Sequence, residues 1–146
     1  MTEQTNGADI LLPQGVDEQT AQRMVFTVNA IVSEEAYGWK RSLTDRAEWR
    51  WTDQDGVEYD APKNLVESGE IVGAVESLVE QNQLVLGITY GAHHGGWEVF
   101  LKQGATEVGH VAGRPLHLML GILLMTAVGK APQAELERLF PILTPQ

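Results

Sequence analysis

The sequence predicts an α+β fold in which an antiparallel sheet packs between or against helices, an arrangement similar to an α-β-α sandwich. Three observations predict it. Apolar residues recur at helical spacing in two segments, two β-rich segments flank a glycine-rich connection, and a later helical segment is apolar almost all round. A helix of that last kind must be buried, and a sheet offers a surface that can cover it.

The first helix is predicted to begin at Asp17, which can cap its N-terminus, and to end near Gly38. Its apolar residues recur every three or four positions, which is typical of an amphipathic helix. These residues are Ala21, Met24, Val25, Val28, Ile31 and Val32.

A β-hairpin is predicted next, because Trp49 and Trp51 alternate with polar residues and Asp55-Gly56 follows them. The acids around this turn do not match a calcium loop, since Gly56 comes three residues after Asp53, whereas an EF-type loop places its glycine five residues after the first aspartate.

A second helix is predicted from about Asn64 or Ser68 to Gln81. Its apolar face would contain Ile71, Val72, Val75, Leu78 and Val79, and its other faces would carry Glu67, Glu70, Glu76 and Glu80. The glutamates have two interpretations, a solvated face or an acidic docking surface.

Residues 84–90 and 97–101 are predicted to form an antiparallel pair, and residues 105–113 a weaker extended segment. A buried helix is predicted from Pro115 to Val128, and a short helix from Pro132. The predicted organisation is a flexible tail (1–16), one α+β domain (17–129), and a C-terminal short helix with a tail (130–146).

Composition and charge argue against several classes of function. Ten basic and twenty acidic residues give a net charge of −10, which argues against direct binding of nucleic acid or an anionic membrane. The 16 acids and 6 bases of residues 1–80 account for all of it. The chain has no cysteine, no recognisable signal peptide and no apolar run long enough to span a bilayer, so we expect a cytoplasmic protein.

No catalytic motif is recognisable, so we expect no enzyme and no cofactor. His93 and His94 lie in a glycine-rich segment and could bind a metal only if a third ligand, such as His110, came near. His117 is interpreted as a core or boundary residue. A metal-dependent enzyme is therefore the third of the hypotheses considered, and no metal site is expected.

Five aromatic residues fall within residues 37–59, interleaved with arginines. This composition is typical of interface hot spots and of stacking on nucleotides, although the tryptophans could also pack the first helix on the hairpin. The C-terminal apolar residues exceed what the predicted core needs. The candidate partner-binding residues are Trp49, Arg50, Trp51, Glu67, Glu70, Leu136, Leu139, Phe140 and Leu143.

Several signals occur in the order found in one phage family. A helix ends in Tyr-Gly-Trp39, a Trp-rich stretch and another helix follow, and Trp97-Glu-Val-Phe100 precedes Gly113-Arg-Pro-Leu-His-Leu-Met-Leu. Over about residues 25–128 the chain resembles the phage helix–sheet–helix (phage ABA sandwich) proteins. The resemblance implies a small phage-encoded protein without a known active site, active in the host cytoplasm.

Size, acidity and lack of cysteine are also similar to a thermophilic phage protein that inhibits host RNA polymerase. We therefore expect a protein that binds a host machine, with RNA polymerase holoenzyme as the leading partner, and that inhibits or redirects transcription. The alternative is an anti-defence protein, either an acidic mimic that blocks a nuclease or a binder that sequesters a nucleotide.

Overall fold

A computed structural model describes residues 18–91 and 96–140, and within these ranges the chain forms four helices and two three-stranded antiparallel sheets. The predicted α+β class is confirmed. The helices are α1 (Glu18–Tyr37), α2 (Ile71–Asn82), α3 (Leu116–Ala127) and α4 (Pro132–Leu139). Sheet A contains β1 (Lys40–Leu43), β2 (Trp49–Thr52) and β3 (Glu58–Tyr59), and sheet B contains β4 (Val85–Gly91), β5 (Gly96–Gln103) and β6 (Thr106–Gly113).

Sheet B and α3 form the centre of the molecule. Val99 on the middle strand lies opposite Ile88 on one side and Val111 on the other, which fixes the register of the three strands. One side of α3 packs against β5 and β6, and α1 and α2 pack against its remaining surface. The prediction of a buried helix lying on the sheet is therefore confirmed, and its all-round apolar character follows from this position.

The helices α1 and α3 come close together at Gly121. A Cβ atom added at this glycine would lie 2.3 Å from Cγ1 of Val28 on α1, so any side chain there would have to displace the Val28 side chain. This glycine interrupts an otherwise leucine-rich helix because the backbone of α3 has to approach α1 at that point.

The predicted hairpin is confirmed, with Trp51 opposite Tyr59 and a turn around Gly56. Asp53 stabilises the turn, because its Oδ1 accepts the backbone N–H groups of Asp55 and Val57. Sequence analysis missed β1, which pairs along its whole length with β2. The four residues of β1 are charged, polar or largely exposed, so no apolar alternation identifies the strand.

The second helix begins later than predicted, at Ile71 and not at Asn64 or Ser68. The segment before it is held by polar side chains of α1. Asn29 Oδ1 accepts the N–H groups of both Leu65 and Val66, and Ser33 accepts the N–H of Lys63. These bonds satisfy backbone donors that a longer helix would otherwise have satisfied, so the segment stays non-helical.

The last helix packs against α1 and shares its core with the rest of the molecule. Leu136 belongs to the same apolar cluster as α3, and Leu139 packs with Trp51 and Ala30. Residues 1–17 and 141–146, which contain the predicted tails, lie outside the described residues. Among the helices of the described ranges, none combines the length and the apolar character needed to span a bilayer.

Candidate protein-binding site

A cavity of about 360 Å³ lies where α1, sheet A and the end of α4 meet. It joins parts of the chain that are far apart in sequence, and it includes Trp49, Arg50 and Trp51 of the predicted aromatic and arginine cluster. Its lining residues are Phe26, Glu48, Trp49, Arg50, Trp51, Asp60, Leu139 and Phe140.

Aromatic rings form the inner wall of this cavity. The Trp51 side chain has no exposed surface, and the edge of the Phe26 ring contacts it with ring centres 5.5 Å apart. Phe140 makes a similar edge contact with Phe26 at 5.6 Å, and the guanidinium of Arg23 lies 5.7 Å from the Phe140 ring centre. Such contacts favour a rigid wall, because edge-to-face rings are held by the quadrupole as well as by burial.

The outer part of the cavity is polar and carries both signs of charge. Trp49 and Arg50 are half-buried, and Glu48 and Asp60 are exposed beside them. Arg50 lies 3.7 Å from Glu48, a separation that gives a weak ion pair in water. The site therefore combines an apolar interior with a charged rim, which is the usual composition of a protein–protein hot spot.

Glu34 on α1 fixes the position of the tryptophan strand. Its Oε2 accepts a hydrogen bond from Trp51 Nε1 and forms an ion pair with Arg41 Nε, each at 3.1 Å. Partial burial raises the pKa of Glu34 above the ordinary glutamate value, although Arg41 and the Trp51 bond both act to lower it. One carboxylate thus holds β1 and β2 against α1.

Arg41 extends this arrangement to the cavity wall. Its guanidinium lies 4.9 Å from the ring centre of Trp49, within cation–π distance. Its Nη1 atom is buried and has no hydrogen-bond acceptor in the described part of the chain. Trp49 is therefore held between the arginine and the cavity, so its orientation is set before any partner binds.

Two predicted C-terminal contact residues prove to be core residues. Leu136 and Leu139 are 4% and 5% exposed, because α4 turns this face onto α1 and the tryptophan strand. The expectation that they exceed the needs of the core is wrong. Trp51 and Leu139 can only support the cavity wall, whereas Phe140 remains half-buried and lines the cavity. Leu143 lies outside the described residues.

The predicted acidic residues lie elsewhere. Glu67 and Glu70 are exposed, but they precede α2, and Glu70 forms an ion pair with Lys63 at 3.2 Å. Only Glu76 and Glu80 of the four glutamates lie within α2. The predicted four-glutamate helix face is therefore wrong, because the helix starts after Glu70.

A second, more open cleft of about 450 Å³ lies against the hairpin turn and includes Glu70. Trp39 stacks on Tyr59 in its wall, with ring centres 4.9 Å apart. Hydrogen bonds from the Val57 backbone, and from the Tyr59 hydroxyl, lower the pKa of Asp53, and the same hydroxyl bond raises the pKa of Tyr59. All of these groups already have partners within the chain.

The histidines give no metal site within the described ranges, where no group of three potential ligands occurs. His110 Nε2 is hydrogen-bonded to Glu98 Oε2 at 3.1 Å. His117 is partly buried beside Gly69, as expected of a boundary residue. His93 and His94 lie outside the described residues, so their interpretation stays a prediction.

Sequence analysis missed Phe26 as part of the site. Phe26 and Ala30 lie four positions apart on α1 and form a second apolar stripe, which faces Trp51, beside the stripe that faces α3. A second stripe on one helix indicates a second packing surface, and that spacing could have identified the residue. Comparison with protein-family models, characterised proteins and solved structures finds no match to this chain.

Proposed function

We propose that this protein binds another protein through the cavity between α1, sheet A and α4. The observation that supports the proposal most strongly is the joint position of Trp49, Arg50 and Phe140. They come from two distant parts of the chain, they line one partly open cavity, and a buried aromatic wall lies behind them. Aromatic and arginine anchors of this kind supply most of the affinity at protein interfaces.

Charge supports a partner with a basic surface. The excess of acids lies entirely in residues 1–80, and at the cavity the acids Glu48 and Asp60 outnumber the base Arg50, whereas residues 40–50 as a whole carry four bases and two acids. Opposite charges at the edge of an interface increase the association rate and orient the partners, while the apolar centre supplies most of the affinity. We therefore expect association to slow as the salt concentration rises.

For the partner, we propose host RNA polymerase holoenzyme, with inhibition or redirection of transcription as the outcome. This choice rests on the sequence resemblance to small phage proteins and on the acidic, cysteine-free composition. On this proposal the protein acts in the cytoplasm of the host and needs no cofactor.

The test measures binding to polymerase holoenzyme purified from the host bacterium. Replacing Trp49 by alanine removes the half-buried anchor, and we expect the affinity to fall about tenfold or more. Arg50→Ala is a second test variant, because Arg50 lines the cavity but is not part of the protein core. Val108→Ala on sheet B is the control, since it removes an apolar side chain that is partly exposed but lies outside the cavity.

Circular dichroism of each variant establishes that the fold is kept, and a transcription assay measures the consequence of binding. Equal affinity of the wild type, Trp49→Ala and Arg50→Ala would contradict the proposed site. No binding of the wild-type chain to holoenzyme would contradict the polymerase as partner, while leaving the cavity open to test with another protein.

The alternative of a nucleotide-sequestering protein is supported by the same pair, since Trp49 could stack on a base and Arg50 could bind phosphate. Glu48 and Asp60 at the rim would repel that phosphate, so the geometry favours a protein partner. A panel of nucleotides in a thermal-shift assay separates the two, because a ligand of the folded state raises the melting temperature.

A further inference from the structure

Strand β4 has an open edge. Within residues 18–91 and 96–140 it pairs only with β5, so the backbone groups along its other edge have no strand partner. An open edge of this length can pair with a strand from another chain, and natural proteins usually protect such edges with charged residues, prolines, bulges or a covering element.

None of the first three protections occurs in β4. The strand is Val-Leu-Gly-Ile-Thr-Tyr-Gly, with no charged residue and no proline, and its pairing with β5 is regular over all seven residues. The opposite edge of the sheet differs. Strand β6 contains Glu107, and its pairing with β5 shifts register between Leu101 and Lys102. One edge of sheet B is thus irregular and charged, and the other is regular and uncharged.

The apolar side chains of β4 are also incompletely covered. Ile88 and Tyr90 lie opposite Val99 and Trp97, so they point to the side of the sheet on which α3 packs. Since α3 lies over β5 and β6, Ile88 remains 40% exposed and Tyr90 58% exposed. The open edge therefore continues into an uncovered apolar strip.

We propose that a second copy of this chain pairs with β4, so that two sheets B join into one six-stranded antiparallel sheet across a two-fold axis. The distribution of charge favours a second copy of the chain as the partner at this edge. The chain carries a net charge of −10, yet residues 81–97 contain no Asp, Glu, Lys or Arg. An equally acidic second copy can approach this edge without placing like charges opposite each other, whereas a basic partner would be drawn to residues 1–80.

A two-fold axis at Ile88 also brings apolar side chains of the two strands opposite each other. Antiparallel pairing centred on Ile88 places this residue opposite its own copy and Leu86 opposite Tyr90, all on the α3 side. Two seven-residue strands give a contact only about 23 Å long. We therefore expect a reversible dimer whose population depends on concentration. None of the residues that line the cavity on sheet A lies on β4, and the proposed pairing does not depend on the proposed function.

Analytical ultracentrifugation of the full chain tests the proposal over a concentration range of about 5 to about 500 µM, where mass action should convert monomer to dimer. We expect Ile88→Lys to weaken dimerisation at least tenfold. Val108→Lys is the matched control, because Val108 is 39% exposed but lies on the other edge of the sheet, and it should leave dimerisation unchanged.

Mixing makes the test specific to the strand. Ile88→Lys and Ile88→Glu should each be monomeric alone and should form a heterodimer when mixed, because the two opposite charges then face each other across the axis. A wild-type chain that stays monomeric at every concentration would overturn the proposal. So would a dimer that responds equally to both lysine variants or to neither, or a mixture of the Ile88 variants that stays monomeric.

Discussion

The two sheets of this protein are held by different kinds of interaction. Sheet B is covered by α3 through aliphatic side chains, and Val99, Leu101 and Val111 have no exposed surface. Sheet A is small and is attached to α1 and α4 by aromatic rings and by the Glu34 carboxylate, which contacts both β1 and β2. The difference separates a region that determines the fold from a region that carries the candidate binding site.

A binding site on sheet A can be altered with less loss of stability than one in the core of sheet B. An aliphatic core tolerates little change, because each side chain fills space that its neighbours cannot refill. A half-buried aromatic cluster at the side of that core can present Trp49 and Phe140 while Trp51 stays fixed. Substitutions in the two regions should therefore have different effects on stability and on binding.

The largest loss of stability is expected where α3 packs on sheet B. Leu123 has no exposed surface, and its Cδ1 would lie 2.9 Å from a Cβ added at Gly109 on β6. Replacing Leu123 by alanine should lower the free energy of unfolding by about 2–5 kcal/mol, because it leaves a cavity between helix and sheet. Urea unfolding measures the change, and a loss below about 1 kcal/mol would contradict the central position of α3.

A smaller effect is expected from Trp51→Phe in sheet A. The change keeps an aromatic ring but removes the N–H that donates to Glu34, so we expect a loss of about 1–3 kcal/mol. Trp39→Phe is the matched control, since Trp39 is only partly buried and its ring stacks on Tyr59. If both variants lose the same stability, the Trp51–Glu34 bond does not hold sheet A.

The pH dependence of stability tests Glu34 itself. Because its pKa is raised in the folded protein, the folded state binds the proton more tightly than the unfolded state does. The contribution of Glu34 to stability should therefore be largest below its ordinary pKa and decline as the pH rises through the raised pKa. Since Arg41 and Trp51 oppose the effect of burial, we expect a modest decline.

Glu34→Gln keeps an acceptor for Trp51 and cannot ionise, so comparison with this variant separates the ionisation of Glu34 from that of the other acids. Urea unfolding of both proteins between about pH 4 and about pH 7 should show the wild type losing stability relative to the variant as the pH rises. A stability difference that stays constant, or that changes in favour of the wild type, would show that ionisation of Glu34 is not opposed by burial.

The smallest effect is expected on α2. Glu76 and Glu80 are exposed, and replacing both by glutamine should change the free energy of unfolding by less than about 0.5 kcal/mol. Neutralising Glu67, Glu70, Glu76 and Glu80 together also tests the docking interpretation of these residues. Unchanged partner affinity would assign them to solvation, and a lower association rate would assign them to electrostatic attraction of the partner.

Sequence patterns predicted sheet B better than sheet A. The apolar periodicity of α1 and α3 and the paired strands of sheet B follow from local spacing, so their existence was predictable. Strand β1 was not, because three of its residues are charged or polar and the fourth, Leu43, is exposed. The ion pair between Glu34 and Arg41, seven positions apart, forms only in the fold. The start of α2 was missed because Asn29, 36 positions from Leu65, provides the bond that replaces a helical turn.

The site was predicted only in part for the same reason. The composition of residues 37–59 identified Trp49 and Arg50, and the apolar C-terminus identified Phe140. Nothing in the sequence indicated that these two groups line one cavity, or that Leu136 and Leu139 turn inward. That information lies in the packing of α4 on α1, which local spacing does not specify.

Hydrogen exchange of the protein, alone and mixed with polymerase holoenzyme as the proposed partner, tests the central claim most directly. Binding at sheet A should protect the amides of Trp49–Thr52 and those around Phe140, while the amides of β5 and β6 keep the exchange rates of the free protein. Protection confined to sheet B or to α2, with no change in Trp49–Thr52, would contradict the assignment of the aromatic cavity as the binding site.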